Sequence, residues 1–544
     1  MTAPQQKDAT RMMTLKTHGA ADRPYFLWHL AALNVIDADF TGSPSPFVAS
    51  TVWDMILART KRPDAEARVA LIDTGVSCLH PNLASRVIAE DSIDLVTHRF
   101  GARYDLPGTD SGETKRAFFA ELDLDGLGPL GLPAFETEYL EDFVAALRGS
   151  EGVVRRLIDH DELFGAHGTS CAGLIVAEPG ADAAGAGGPL AVTRPGATPS
   201  ADPAVLPYFG VDPFSRIFSI RTGFDADAEQ FIAAFLYAWM KRAEVIVLPR
   251  GIPDPVRSRL PVRDYLSASL EKYHNSDIAD LFARLDPGRG ESDPKAEERG
   301  FLPARRWDVL RALILAISRR IPVVCAAGND GESQVIYPAS LAEEEGGVIA
   351  VGAITTEGYR SGYSNYGGVT LVAPSDDGEV INRQQIRQGP SEPDEADLAL
   401  VPRQSIPGIT QIPYSAMPLI TTDLPGAFGY QADGQRGIGH AALRQGLYTE
   451  FGGTSGAASL IGGLAALMQR ARRAAGLPVL DGVQLKNVLI GSCFLDHPVR
   501  PGTRPPAADP MNAALEIHED LSHFFGAGLP DAALAVGEAL AVKP

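Results

Sequence analysis

Short, continuous apolar runs alternate with longer segments of helical periodicity along most of this chain. Residues 69–72, 216–221, 244–251, 321–331 and 347–354 carry the runs. They are rich in Val and Ile and end in polar or Gly-bearing turns, the pattern of strands buried on both faces. Residues 135–148, 228–243 and 307–320 place their apolar side chains on one helical face, and 28–35 and 52–58 form shorter amphipathic segments. A further helix is expected over 114–122. Strands alternating with helices predict an α/β fold: a largely parallel sheet sandwiched between helices.

Three glycine-bearing seams punctuate this rhythm. ARVALIDTGV, residues 67–76, ends a strand run in Asp73, and polar residues just past the carboxyl end of a strand are where open α/β sheets place ligands. AHGTSCAGLIVA, residues 166–177, is a turn feeding a helix of small residues, with His167 at its start. In FGGTSGAASLIGGLAALM, residues 451–468, Gly452, Gly453 and Gly456 permit tight or left-handed backbone around Thr454 and Ser455 before a buried helix over 457–468. Ser455 then stands at a helix N-terminus, where unpaired backbone N–H groups and the helix dipole favour a developing oxyanion. Taken singly, Ser455 or Thr454 reads as a helix cap, Asp73 as a turn cap and His167 as a satisfied histidine. Taken together they are the nucleophile, base and orienting acid that serine catalysis requires, in the chain order Asp, His, Ser used by subtilisin.

The chain resembles the subtilisin-like serine proteases in four motifs: Asp73-Thr74-Gly75-Val76 followed by His80-Pro81-Asn82-Leu83; His167-Gly168-Thr169-Ser170-Cys171-Ala172-Gly173; Ala326-Ala327-Gly328-Asn329; and Gly453-Thr454-Ser455-Gly456-Ala457-Ala458. Lesser echoes are Tyr337-Pro338-Ala339-Ser340, Ser364-Asn365-Tyr366-Gly367, Val372-Ala373-Pro374 and Gly526-Ala527-Gly528-Leu529-Pro530-Asp531-Ala532. The resemblance implies a parallel seven-stranded sheet between helices and a peptide hydrolase with Asp73, His167 and Ser455 as its triad. It also implies Asn329 as side-chain donor to the oxyanion, His80 in a structural role, and a substrate strand lying along Leu248, Pro249, Arg250 and Gly251 on one side and Ala326, Ala327 and Gly328, with Thr454, on the other. Structural calcium is implied by resemblance alone, since no ligand set in the sequence is diagnostic. The alternatives are a catalytically silent subtilisin-fold binding or scaffold protein, or an acyl-transferring relative.

The chain departs from the family pattern in several places. Leu248-Pro249-Arg250 stands where relatives keep Ser-Leu-Gly. Proline has no N–H, so one bond to a substrate strand is missing or shifted, and Arg250 faces either an acidic substrate residue or solvent. Ser459 replaces the usual proline of the nucleophile helix. Excursions near 84–164, 178–207, 252–304 and 376–447 lengthen the spacings between the motifs, so regulation by these loops or by a protein partner is expected. Residues 1–23 read as a polar tail, and 24–544 as one catalytic domain in which framework sequence begins too early to leave room for a folding-assistant propeptide.

Composition narrows the class further. A net charge of −20 disfavours nucleic acid and anionic membranes as partners. The N-terminus lacks a signal-peptide core and residues 26–36 are too short to span a bilayer, so a cytoplasmic protein acting on proteins or peptides is expected. Cys78, Cys171, Cys325 and Cys493 have no C-x-x-C spacing, which predicts neither zinc nor a disulfide framework. Cys78 and Cys171 fall close after triad residues, as small packing residues or as a point of sensitivity to thiol reagents. The acidic run 121–132 ends in Leu132 rather than the glutamate an EF-hand needs. His440 has no assigned role.

Overall fold

The computed structural model describes residues 27–39, 47–50, 52–62, 64–78, 80–95, 113–114, 124–149, 153–156, 165–178, 208–222, 228–252, 303–355, 360–376, 418–425, 429–430, 447–495 and 521–544. Helix α1 (Trp28–Ala32) leads into the antiparallel hairpin β1 (Ile36–Asp39) and β2 (Phe47–Ser50), then into α2 (Val52–Ala58) and the strand β3 (Arg68–Asp73). There follow β4 (Ile93–Asp94), β5 (Glu113–Thr114), α3 (Ala134–Gly149), β6 (Val153–Arg156), α4 (Gly165–Val176), β7 (Arg216–Arg221), α5 (Ala228–Met240) and β8 (Val245–Leu248). The second half contains α6 (Pro303–Ser318), β9 (Val323–Ala326), β10 (Val348–Ile354), β11 (Leu371–Pro374), the hairpin β12 (Leu419–Thr422) and β13 (Tyr448–Phe451), and the long helix α7 (Gly453–Ala474).

The main sheet runs β11-β10-β9-β8-β3-β7-β4-β6-β5. Its first seven strands are parallel, and β6 and β5 extend the β4 edge antiparallel. This is the expected α/β architecture of seven parallel strands between helices, with two short edge strands that the sequence did not announce. Of the helix expected over 114–122, Thr114 is instead strand, and residues 115–122 lie outside the described residues. The polar tail, residues 179–207 and 253–302, most of 376–447, and His440 also lie outside them.

The continuous apolar strand runs follow from burial on both faces. Successive side chains alternate across the sheet: Val69, Leu71, Val245, Val247, Val324 and Ala326 join the core beneath α4 and α7, whereas Ala70, Ile72, Ile246, Leu248, Val323 and Cys325 join the core beneath α3, α5 and α6. β3 lies near the middle of the sheet, hydrogen-bonded to β7 on one side and β8 on the other. Among the described residues, no helix is long and apolar enough to cross a membrane.

Candidate active site

Asp73 is the last residue of β3, and strand alternation dictates its direction. It shares a face with Val69 and Leu71, the face covered by α4 and α7. There the buried carboxylate accepts Nδ1–H of His167, with oxygens 2.9 and 3.0 Å away, and also the Thr74 N–H at 2.6 Å. Burial pushes this carboxyl up, but His167, the Arg250 guanidinium and the Thr74 N–H outweigh it and hold the group below the usual carboxylate range. For His167, burial pulls the imidazole down, and the adjacent Asp73 carboxylate reverses that and raises it well above its ordinary 6.5. His167 keeps 17% of its side chain exposed while Asp73 keeps none, so the imidazole is the member of the pair that can meet a substrate.

Glycines and hydroxyls seat α4. A Cβ on Gly168 would lie 2.0 Å from the Gly75 carbonyl oxygen, and Gly75 itself adopts φ +118°. The backbones therefore touch where the Asp73 turn meets the histidine helix. The Gly168 N–H donates to Thr74 Oγ1 at 3.1 Å, and Thr169 Oγ1 accepts the Ser77 N–H at 3.0 Å. On the opposite side, the Thr421 and Thr422 hydroxyls of β12 donate to the Ser170 and Thr169 carbonyls at 2.7 and 2.8 Å. The hairpin that leads into the nucleophile helix thus clasps the histidine helix.

The capping alternative for Ser455 and Thr454 is not what the helix uses. The N-cap of α7 is Gly452, with no side-chain cap bond, and Gly453 takes φ +71°. Thr454 is instead tied to Asn329: its N–H and its hydroxyl both donate to Asn329 Oδ1 at 2.8 Å, and its Oγ1 accepts the Gly328 N–H at 3.0 Å. With Oδ1 so engaged, the amide nitrogen of Asn329 is the end directed away from Thr454, beside Gly453. Ser455 is partly buried in the first turn of α7, where backbone N–H groups lack intrahelical acceptors.

His167 and Ser455 each sit in the first turn of their helix, and the two helices pack together. On α4, Cys171 lies one turn below His167, with Sγ 3.8 Å from Nδ1. On α7, Ser459 lies one turn below Ser455 and donates its hydroxyl to the Ser455 carbonyl at 2.8 Å. The Cys171 thiol and the Ser459 hydroxyl lie near enough to influence one another across the gap between the helices. His167 and Ser455 therefore stand at the same ends of two packed helices, each one turn above that shared contact.

An aromatic wall flanks the imidazole. The Phe451 ring is 5.4 Å from His167, and the half-exposed Tyr430 ring is 6.2 Å from Phe451. Asp423 Oδ1 fixes the Tyr430 backbone by accepting its N–H at 3.0 Å. The described part of the 376–447 excursion thus reaches the aromatic ring beside His167.

Among the expected substrate-lining residues, Leu248 and Ala327 bury their side chains in the core beneath α5 and α6, which leaves only their backbone for a ligand. Ala326, Gly328 and Thr454 are buried around Asn329, and β8 ends at Leu248, before Pro249. A Cβ on Gly251 would press 2.8 Å from Ile336 Cδ1. Arg250 is not a solvated surface arginine. It is 9% exposed, bonds Thr222 Oγ1 at 2.6 Å, and lies 5.7 Å from the Phe231 ring centroid. Its guanidinium lies within electrostatic reach of Asp73.

His80 is buried and bridges two segments, accepting the Asn82 N–H on Nδ1 at 3.1 Å and donating from Nε2 to the Leu447 carbonyl at 2.7 Å. Burial pushes its imidazole down to about 4. Among the described residues, Asp73, His167 and Cys171 are the one grouping of His, Cys, Asp and Glu side chains placed to share an ion. Its thiol and imidazole do not suit calcium, which takes oxygen ligands. The Cys171–Ser459 contact, the β12 clasp and the Tyr430–Phe451 wall had no counterpart in the sequence reading. Only the four-residue step from His167 to Cys171 hinted at the first.

A family model described as the subtilase family matches residues 64–528. Among solved structures, the chain is similar to the prenylagaramide maturation protease PagA, with 14% identity and a TM-score of 0.40 over 90% of this chain and 99% of that one. It is also similar to the epidermin leader peptide processing serine protease EpiP from Staphylococcus aureus, with 16% identity and a TM-score of 0.43 over 91% of this chain and 81% of that one. A third is the PatG macrocyclase domain, with 14% identity and a TM-score of 0.40 over 90% and 95%. No curated protein matches the sequence.

Proposed function

This chain belongs to the subtilase family as a subtilisin-like serine protease, and we propose that it is an endopeptidase working through Asp73, His167 and Ser455. The observation that supports the reading is the buried Asp73–His167 pair, with Nδ1 held at 2.9 Å, beside the Phe451 ring that leads into α7. In this reading Asp73 fixes the tautomer that leaves Nε2 free. Nε2 takes the Ser455 hydroxyl proton as Oγ attacks a peptide carbonyl, and later gives it to the leaving amine. The oxyanion is met by the Ser455 N–H and the Asn329 amide nitrogen, whose orientation Thr454 sets. Water then hydrolyses the acyl-enzyme. Backbone beyond β8 and β9, at Pro249 to Gly251 and Ala326 to Gly328, lines the substrate strand, with one ladder bond lost at Pro249.

Residues 24–544 form one catalytic domain enlarged by insertions, and the stretch before β13 is its regulatory element, since Tyr430 from that stretch lies beside the Phe451 ring that flanks His167. The four cysteines are free thiols, which fits a cytoplasmic setting. The test is incubation with a mixture of unstructured peptides and mass analysis of the products. New fragment pairs whose masses sum to the parent plus one water, absent with Ser455→Ala, are expected. Joined peptides without water gain would instead mark an acyl transferase, and fragments persisting at the wild-type rate with Ser455→Ala would refute the assignment.

A further inference from the structure

We propose that Asp73, His167 and Cys171 form a binding site for one thiophilic divalent cation of the zinc class, and that its occupation reversibly switches the protease off. The inhibitory consequence rests on the function proposed above; the site rests on geometry. The Asp73 carboxylate, His167 Nδ1 and Cys171 Sγ all lie within 4.8 Å of one another. Tetrahedral zinc takes sulfur at about 2.3 Å and nitrogen or oxygen at about 2.0 to 2.1 Å, which sets sulfur and nitrogen roughly 3.6 Å apart and nitrogen and oxygen roughly 3.4 Å apart. The observed separations are 3.8 Å from sulfur to nitrogen and 2.9 to 3.0 Å from nitrogen to oxygen. The thiol and imidazole are already spaced for the ion, and the carboxylate has to withdraw by a few tenths of an ångström.

The backbone holds these donors in place. Asp73 ends a central strand, His167 and Cys171 share one face of α4, and Gly168 sets the distance between strand turn and helix through its contact with Gly75. The donor set mixes a thiol, an imidazole and a single carboxylate, a combination that selects zinc or cadmium over magnesium or calcium.

The inhibitory step balances simply. On binding, the Cys171 thiol releases its proton to solvent, and the proton on Nδ1 of the neutral imidazole moves to Nε2 as the metal takes its place. Nε2 then carries a hydrogen and cannot accept the Ser455 proton. Removal of the metal restores the thiol and the original tautomer, so inhibition is relieved by a chelator.

The experiment uses the full chain. Purified protein is titrated with Cd²⁺ while the thiolate-to-metal absorbance is followed, and in parallel Zn²⁺ is titrated against peptide hydrolysis. One cadmium per chain is expected to give an absorbance band that a chelator erases, that Cys78→Ala retains, and that Cys171→Ala loses. His167→Ala, at a partly exposed position, removes a second ligand and weakens the same band. The zinc concentration for half-inhibition is expected to rise by about tenfold or more in Cys171→Ala. A band that survives Cys171→Ala, or equal zinc sensitivity in wild type and Cys171→Ala, overturns the site. Because the cadmium band needs no turnover, a protein that shows it but cleaves no peptide refutes the proposed function and leaves the metal site standing.

Discussion

The two faces of the sheet both bury large aromatic side chains, but their helices approach it differently. Beneath α3, α5 and α6 the core is filled by large side chains, including Tyr139, Phe143, Phe231, Phe235, Tyr237 and Trp307. Beneath α4 and α7, glycines let helix backbone approach closely: Gly168 against the Gly75 backbone, Gly462 against the Val247 side chain of β8, Gly463 against the Val211 side chain. Bulky packing tolerates small shifts because many contacts share the load, whereas glycine packing fixes a helix at one height. Asp73 and His167 lie on the second face, beneath α4 and α7, where the proposed chemistry is placed.

The largest expected effect that separates the faces is Asp73→Asn. It leaves packing nearly isosteric but removes the charge that sets the His167 tautomer, and the peptide-hydrolysis rate is expected to fall by about 10⁴ with little change in melting temperature. Next come paired substitutions on the two faces. Gly168→Ala forces α4 off the Gly75 carbonyl, and displacement of His167 by about 1 Å is expected to cost on the order of 10² in rate. Phe235→Ala on the other face is expected to cost about 3 to 5 kcal/mol in denaturant unfolding while the folded fraction keeps its rate. Equal rate losses in both would erase the distinction.

The smallest effect is in pH dependence. The working imidazole must be neutral, and its raised folded value places the acid limb of kcat/KM above pH 6.5. An unperturbed imidazole, the value the sequence alone suggests, would place that limb near 6.5. In Asp73→Asn the residual limb moves down, because the carboxylate charge no longer offsets burial. A wild-type limb at about pH 5 would contradict the Asp73–His167 coupling.

Much of this site is legible in the chain because each part is local. An apolar run ending in Asp73, a glycine turn before His167 and another before Ser455 each carry their own geometry, and Ala326 to Asn329 continues a strand. What escapes is carried by distant partners. The threonines that clasp α4 lie 251 and 253 residues from the carbonyls they bond, in a stretch that reads as irregular. Arg250 looks like a surface residue until Thr222 and Phe231 fold over it. A search for C-x-x-C spacing passes over the grouping of His167 and Cys171 with Asp73, which arrives from a strand 94 residues before His167.

The central claim is that Ser455 is a nucleophile activated by His167. The direct measurement is reaction of the folded chain with a fluorophosphonate, followed by peptide mapping. The account predicts one adduct per chain, on Ser455, and its near-complete loss in His167→Ala protein that retains the wild-type circular dichroism spectrum. No adduct on Ser455, or labelling at the same rate without His167, would contradict it.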